Sequence, residues 1–331
     1  MNHATTTVAV VGGGSLIGTH LVELLHAERP GWRLRVVDNF STGREQELVE
    51  LFSPDDALIR LDIRDREGCE EALTGCRIVF HLAAILSMSF ERDARTGVEV
   101  NVLGMGNVLE ATARAGARLV LASSSGGVHG IAPAGVVDES SPFHHAALPP
   151  GTAMYGAAKL LAEHRCRALA DQDGLEWVTL RYSSVYGPRQ HDRGRHTQAL
   201  TENLRRLARG EAAVFTSAPD ETHDYVHVRD AARANLLAAE APPEALGRPY
   251  TIATGVATSN RELAGLLSTV TGCDVPPVWE GDRPARPSHV LDISAARSNL
   301  GYEPAVDLAS GLEELLGVLV PRQPATPGSL A

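Results

Sequence analysis

Val8-Ala9-Val10-Val11-Gly12-Gly13-Gly14-Ser15-Leu16-Ile17-Gly18 is the stretch on which the reading of this chain turns. Four consecutive apolar residues are too few for a helix and suit a strand buried on both faces. Glycines end the run, and apolar residues from Ile17 to Leu25 then recur at helical spacing. Strand, glycine turn and helix in that order leave backbone N–H groups at a helix N-terminus with no side chains in front of them, which suits a pyrophosphate. Gly12 fits the tight turn and Gly18 the close helix contact. Where a third glycine usually lies the chain has Ser15, whose side chain either points off a phosphate or bonds to it. An ordinary glycine-rich turn is the alternative.

Working outward, Leu34-Arg35-Val36-Val37 reads as the second strand and ends at Asp38, 20 residues beyond Gly18. A carboxylate there can accept both ribose hydroxyls of an adenosine and would repel a 2′-phosphate, which favours NAD over NADP. A plain turn acid before Asn39 is the alternative, and Gly43 and Arg44 leave room for some NADP use. Further strands are expected at 57–61, leading to Asp62-Ile63, at 78–82, leading to Ala83-Ala84, and at 118–122, leading to Ser123-Ser124-Ser125-Gly126-Gly127. A helix over 98–115 carries Asn101 in an otherwise apolar face, where a satisfied core amide is the plain reading. Strands alternating with helices imply a parallel sheet whose ligand lies outside the carboxyl ends of the strands. The expected fold is α/β, a Rossmann-type doubly wound parallel sheet over residues 1–180. A smaller C-terminal α/β substrate-binding domain, interleaved with the first, covers mainly 181–320, and 321–331 reads as a frayed tail.

Tyr155-Gly156-Ala157-Ala158-Lys159 carries the chemistry. Residues four apart on a helix share a face, so a phenol and an ammonium point the same way. Tyrosine titrates near ~10, and a phenol serves as a base near neutrality only if that falls by about three units, roughly 4 kcal/mol. A neighbouring lysine is the expected cause. An amphipathic helix with a packed Tyr and a solvated Lys is the alternative, and the glycine turn, the serine run and Asp38 together weigh against it.

The 331 residues carry 30 basic and 41 acidic side chains, a net charge of -11. With no clustered positive charge, this disfavours a nucleic-acid or anionic-membrane partner. No apolar run reaches the roughly 18 residues needed to span a bilayer, and Met1 to Thr5 do not open a signal peptide, so a cytoplasmic location is expected. Cys69, Cys76, Cys166 and Cys273 are scattered, without a zinc or disulfide pattern.

These pieces together resemble the extended short-chain dehydrogenase/reductases, the NAD-dependent epimerase/dehydratase family of sugar-nucleotide enzymes. The matching residues run from Val8 to about Pro304 and include Arg181-Tyr182-Ser183-Ser184-Val185-Tyr186-Gly187-Pro188. The resemblance implies bound NAD, held by Gly12, Ser15, Leu16, Ile17, Gly18, Asp38, Asn39, Asp62, Ile63, Leu82, Ala83, Ala84, Asn101, Tyr155, Lys159 and Tyr182. It implies a catalytic trio of Ser125, Tyr155 and Lys159, and a homodimer joined through two long helices of each subunit. Chemically, Tyr155 would take a sugar hydroxyl proton while hydride leaves the same carbon, and Ser125 would hydrogen-bond the reacting oxygen. Family dehydratases and decarboxylases carry acids just after the catalytic hydroxyl residue, where this chain has Gly126 and Gly127. That favours a 4-epimerase acting on a nucleoside-diphosphate sugar, a UDP-hexose or UDP-hexuronate. The two glycines as mere turn residues, a dehydratase or decarboxylase using an acid from elsewhere, an NAD(P)H-dependent carbonyl reductase and a non-catalytic nucleotide sensor are the alternatives.

Substrate contacts are expected from Ser123, Ser125, Ser184, Arg189, His223 and Arg283. His223 stands where relatives have a diphosphate-binding arginine, and a histidine replaces a guanidinium only when protonated. Arg189 lies in a cation-rich loop that reads equally as a solvated surface. His191 and His196 in that loop lack an acid or cysteine partner at helical spacing, so no metal is expected. Helices are expected at 197–209, 227–240, 259–271 and 308–319, and a strand near 250–253.

Overall fold

The computed structural model describes residues 6–190, 195–280 and 286–320, with side chains from 199 in the middle segment. Seven parallel strands form one sheet: β1 (Thr6–Val11), β2 (Trp32–Asp38), β3 (Ala57–Arg60), β4 (Ile78–His81), β5 (Arg118–Ser124), β6 (Trp177–Tyr182) and β7 (Arg248–Ile252). Their order across the sheet is β3-β2-β1-β4-β5-β6-β7. The order reverses between β1 and β4, the point beyond whose carboxyl ends such sheets bind their ligands. This is the doubly wound architecture that the alternating pattern predicts.

Period-two alternation explains why the strands are apolar throughout. Val8 and Val10 pack with Leu21 and Leu25 of helix α1 (Leu16–Glu28) on one face. Ala9 and Val11 pack on the other with Val108 and Leu109 of α2 (Met105–Arg114) and Cys166 and Leu169 of α3 (Pro150–Asp173). Each fully buried Val or Leu contributes roughly 1.5–3 kcal/mol of transfer free energy, so a polar residue in these runs would cost the sheet a face. α1 is capped by Ser15, whose Oγ accepts from Gly18 N at 3.1 Å.

A third apolar cluster lies in the C-terminal part, built from α4 (Arg195–Ala208), α6 (Asn260–Thr271) and α7 (Leu308–Leu319) around Tyr186, Phe215 and Tyr225. Between α4 and α6, helix α5 (Val228–Ala239) packs against α1 and the main sheet. β7 also returns to the main sheet, beside β6. The expected helices fall within one or two residues of those seen, apart from 98–115. There the chain is helical from Ala94 to Val98, π-helical from Glu99 to Gly104, and only then α2.

Candidate active site

Three backbone approaches build the glycine turn. Gly12 has φ +85°, and a Cβ on it would lie 2.4 Å from Ala83 N. A Cβ on Gly18 would lie 2.5 Å from Gly13 O, so α1 starts against the turn itself. A Cβ on Gly43 would lie 2.3 Å from Gly14 O, and the loop after β2 therefore closes over the turn. Asp38 accepts from Gly14 N at 2.8 Å through Oδ2 and from Phe40 N at 2.7 Å through Oδ1, and burial pushes its carboxyl above the ordinary value. A carboxylate has about four lone-pair sites, so these bonds leave room for a ribose hydroxyl. Asp62 accepts from Asn39 Nδ2 at 2.9 Å and from Arg64 Nη2 at 2.8 Å, and the guanidinium holds its carboxyl down at about 2. Ile63 is buried, and Leu82 N and Ala83 N both donate to Val11 O. A turn too close-packed at Gly12 and Gly18 for a Cβ, at a helix start and beside the Asp38 carboxylate, fits a dinucleotide.

The reacting end lies where β5 passes into a short helix, Ser125–His129. Tyr155 and Lys159 come from α3, and both are buried. Phe90 meets the Tyr155 ring edge-on, at 6.2 Å between centroids. Lys159 Nζ donates to Ala122 O at 2.8 Å and lies 5.7 Å from the Tyr155 ring centroid. Burial lowers the Lys159 pKa to about 8, although Glu163 one turn along acts to raise it. Burial pushes the Tyr155 phenol up to about 12, opposed by a hydrogen bond with the Ser124 side chain. The protein alone therefore holds this phenol protonated. The lowering expected from Lys159 is absent because burial brings its own pKa to about 8, so it is neutral by the pH at which this phenol titrates.

The model of the NAD dependent epimerase/dehydratase family matches residues 8–253. The chain belongs to that family. Family membership makes NAD the cofactor, in keeping with the turn and Asp38. A UDP-glucose 4-epimerase of Mycolicibacterium smegmatis is 32% identical over 314 residues, 92% of this chain and 95% of that one. The crystal structure of the Thermotoga maritima UDP-glucose 4-epimerase with UDP-glucose superposes with a TM-score of 0.83 at 31% identity, covering 95% of this chain and 98% of that one. A dTDP-glucose 4,6-dehydratase of Streptomyces venezuelae, with NAD bound, gives 0.80 at 27% identity over 94% and 96% of the two chains. The family fold is thus shared by enzymes of different outcome.

Against the family pattern, several side chains stand elsewhere than expected. Ser125 is turned away from Tyr155: its Oγ donates to Arg181 O at 3.0 Å, and the hydroxyl beside the phenol belongs to Ser124. Ser123 donates to Glu163 Oε1 at 2.8 Å and is likewise buried, off the reacting face. Asn101 is the satisfied core amide, its Oδ1 accepting from Ile85 N at 2.9 Å and its Nδ2 donating to Ile85 O at 2.8 Å. It shapes the segment after β4. The Tyr182 phenol lies in the core, where Asn235 Nδ2 donates to it at 2.7 Å.

Of the expected substrate residues, Ser184 sits after β6 with its N donating to Asp224 O at 3.0 Å. Arg189 is drawn to α1, Nη1 lying 2.8 Å from Glu23 Oε2. His223 lies 3.5 Å from Glu221 Oε1, in a ribbon with Thr258. Arg283, His191 and the side chain of His196 lie outside the described residues. Among the described residues no group of three or more His, Cys, Asp or Glu comes together to hold a metal, and no helix is long and apolar enough to cross a membrane.

Proposed function

We propose that the chain is a sugar-nucleotide 4-epimerase. The observation that carries this reading is the surface beside Tyr155 and Ser124: Gly126 and Gly127 offer no carboxylate, and a Cβ on Gly126 would meet nothing within 4 Å. A site without an acid there has no local means of elimination and leaves space for a ketose to turn. The similarity to UDP-glucose 4-epimerases supports a UDP-hexose or UDP-hexuronate as substrate.

The glycine turn would hold the pyrophosphate of NAD and Asp38 the adenosine ribose, and the bound cofactor supplies a reversible hydride acceptor. Tyr155 takes the proton of the sugar 4-hydroxyl and later returns it, so its phenol must lose its own proton first. Ser124, beside Tyr155, has one O–H to give, and it would turn to the reacting oxygen when substrate binds. Lys159 retains two N–H donors after its bond to Ala122 O, enough to hold a ribose hydroxyl and favour the phenolate.

Incubating the purified protein with UDP-glucose, UDP-glucuronate or their N-acetyl counterparts and following the products by NMR tests this. Interconversion at C4 supports it. A stable ketone, carbon dioxide release or stoichiometric NAD(P)H consumption points to dehydration, decarboxylation or net reduction. We further infer a cytoplasmic homodimer, because Val98, Leu103, Met154 and Leu161 expose apolar side chains on the paired helical segments 94–114 and 150–173. A monomer by analytical ultracentrifugation would contradict this.

A further inference from the structure

Behind the serine turn lies a buried ion pair whose one role above is the pull of its carboxylate on Lys159. Glu163 is 4% exposed and Arg181 6%. Arg181 donates to Glu163 twice, Nε to Oε1 at 3.0 Å and Nη2 to Oε2 at 2.6 Å, and its Nη1 donates to Glu139 O at 2.9 Å. A buried pair of this kind adds little net stability over an apolar pair of equal volume, because each charge must be taken out of water. Its bonds to the serine turn give it a different role.

Ser123 donates to Glu163 Oε1, and Ser125 donates to the backbone carbonyl of Arg181. Ser123 is thus tied to the carboxylate of the pair, and Ser125 to the backbone of its arginine. Ser124 itself accepts from Gly127 N at 3.1 Å, and a Cβ on Gly127 would lie 3.1 Å from the Tyr155 ring. At this point the strand passes into the short helix, so strand alternation no longer dictates where the serine points.

We propose that Glu163, held in place by Arg181, is a positioning residue, which fixes Ser124 beside Tyr155 by clamping Ser123. The inference rests on the reading of Tyr155 and Ser124 as the reacting pair. A displacement of about 1 Å at such a pair lowers turnover by on the order of 100-fold while leaving remote binding contacts in place.

Removing one partner would leave an uncompensated buried charge and could unfold the protein, so the informative variant is the double Glu163→Met, Arg181→Met, with Ser123→Ala as a milder second. Amide exchange at Gly127 N–H reports the Ser124 position without any substrate. The expected result is a thermal midpoint near that of the parent, Gly127 exchange faster by on the order of tenfold, kcat down by on the order of 10- to 100-fold and KM within about threefold. Parent-like Gly127 exchange and kcat in both variants would overturn the proposal. A parent that turns over no UDP-sugar removes the functional reading instead, and the exchange measurement still decides the positioning role.

Discussion

Ser124 and Tyr155 flank Gly127 together, a Cβ there lying 3.3 Å from Ser124 Oγ and 3.1 Å from Tyr155 Cε1, while the neighbouring Ser125 donates to the carbonyl of Arg181. On the proposed reading the two adjacent hydroxyls have separate duties, one on the reacting face and one anchoring the turn. Ser124→Ala should lower kcat by on the order of 100-fold, the size expected for losing a hydrogen bond made to the reacting oxygen. Ser125→Ala should lower it by about tenfold or less, through loosened geometry. Steady-state kinetics on the two variants check this, and a larger loss at Ser125 would reverse the assignment.

Gly126 and Gly127 differ in what surrounds them. A Cβ on Gly127 would lie 3.1 Å from Tyr155 Cε1 and 3.3 Å from Ser124 Oγ, whereas one on Gly126 meets open space. Gly127→Val should press the phenol off Ser124 and lower kcat at least about tenfold. Gly126→Ala should keep kcat within about twofold and raise stability by roughly 0.5 kcal/mol, by restricting the unfolded chain. Kinetics and thermal melts on both variants separate the two glycines.

Much of this was legible from spacing alone. The glycine turn, Asp38 and the Tyr155–Lys159 pair can be read because a strand, a turn and a helix fix where such residues point. The serine run cannot be resolved to one residue, because strand β5 becomes a helix at Ser125 and the alternation that would assign faces stops there. Asn101 sits in a π-helical segment whose extra residue per turn no apolar period announces. Arg189 and Glu23, like Arg181 and Glu163, are brought together by tertiary packing and leave no local pattern.

Asp38 should set cofactor choice. Its carboxylate borders the turn, bonded to Gly14 N, where a 2′-phosphate would meet like charge. Asp38→Ser should weaken NAD and improve NADP relative to it, shifting the ratio of the two dissociation constants by at least about tenfold. Calorimetric titration of both cofactors measures that ratio. An unchanged ratio would remove Asp38 from the ribose site.

Lys159 links the site to stability. Its folded pKa of about 8 lies below the ordinary 10.5, so between these values the unfolded chain holds a proton that the folded chain has released. Stability therefore rises with pH across that window, and below pH 8 the full penalty applies, about 3 kcal/mol. Tyr155, raised from 10.0 to about 12, acts in the opposite direction only above pH 10. Lys159→Met should be inactive, more stable than the parent at pH 7, and flatter between pH 8 and 10. Denaturant melts over that range check the sign.

The most direct measurement is NMR of a UDP-hexose incubated with the purified, NAD-loaded protein beside its Tyr155→Phe variant. The account predicts interconversion at C4 with no net change in NAD, and loss of turnover by on the order of 1,000-fold or more in the variant. Equal turnover by the two proteins, or a product that has lost water or carbon dioxide, would contradict it.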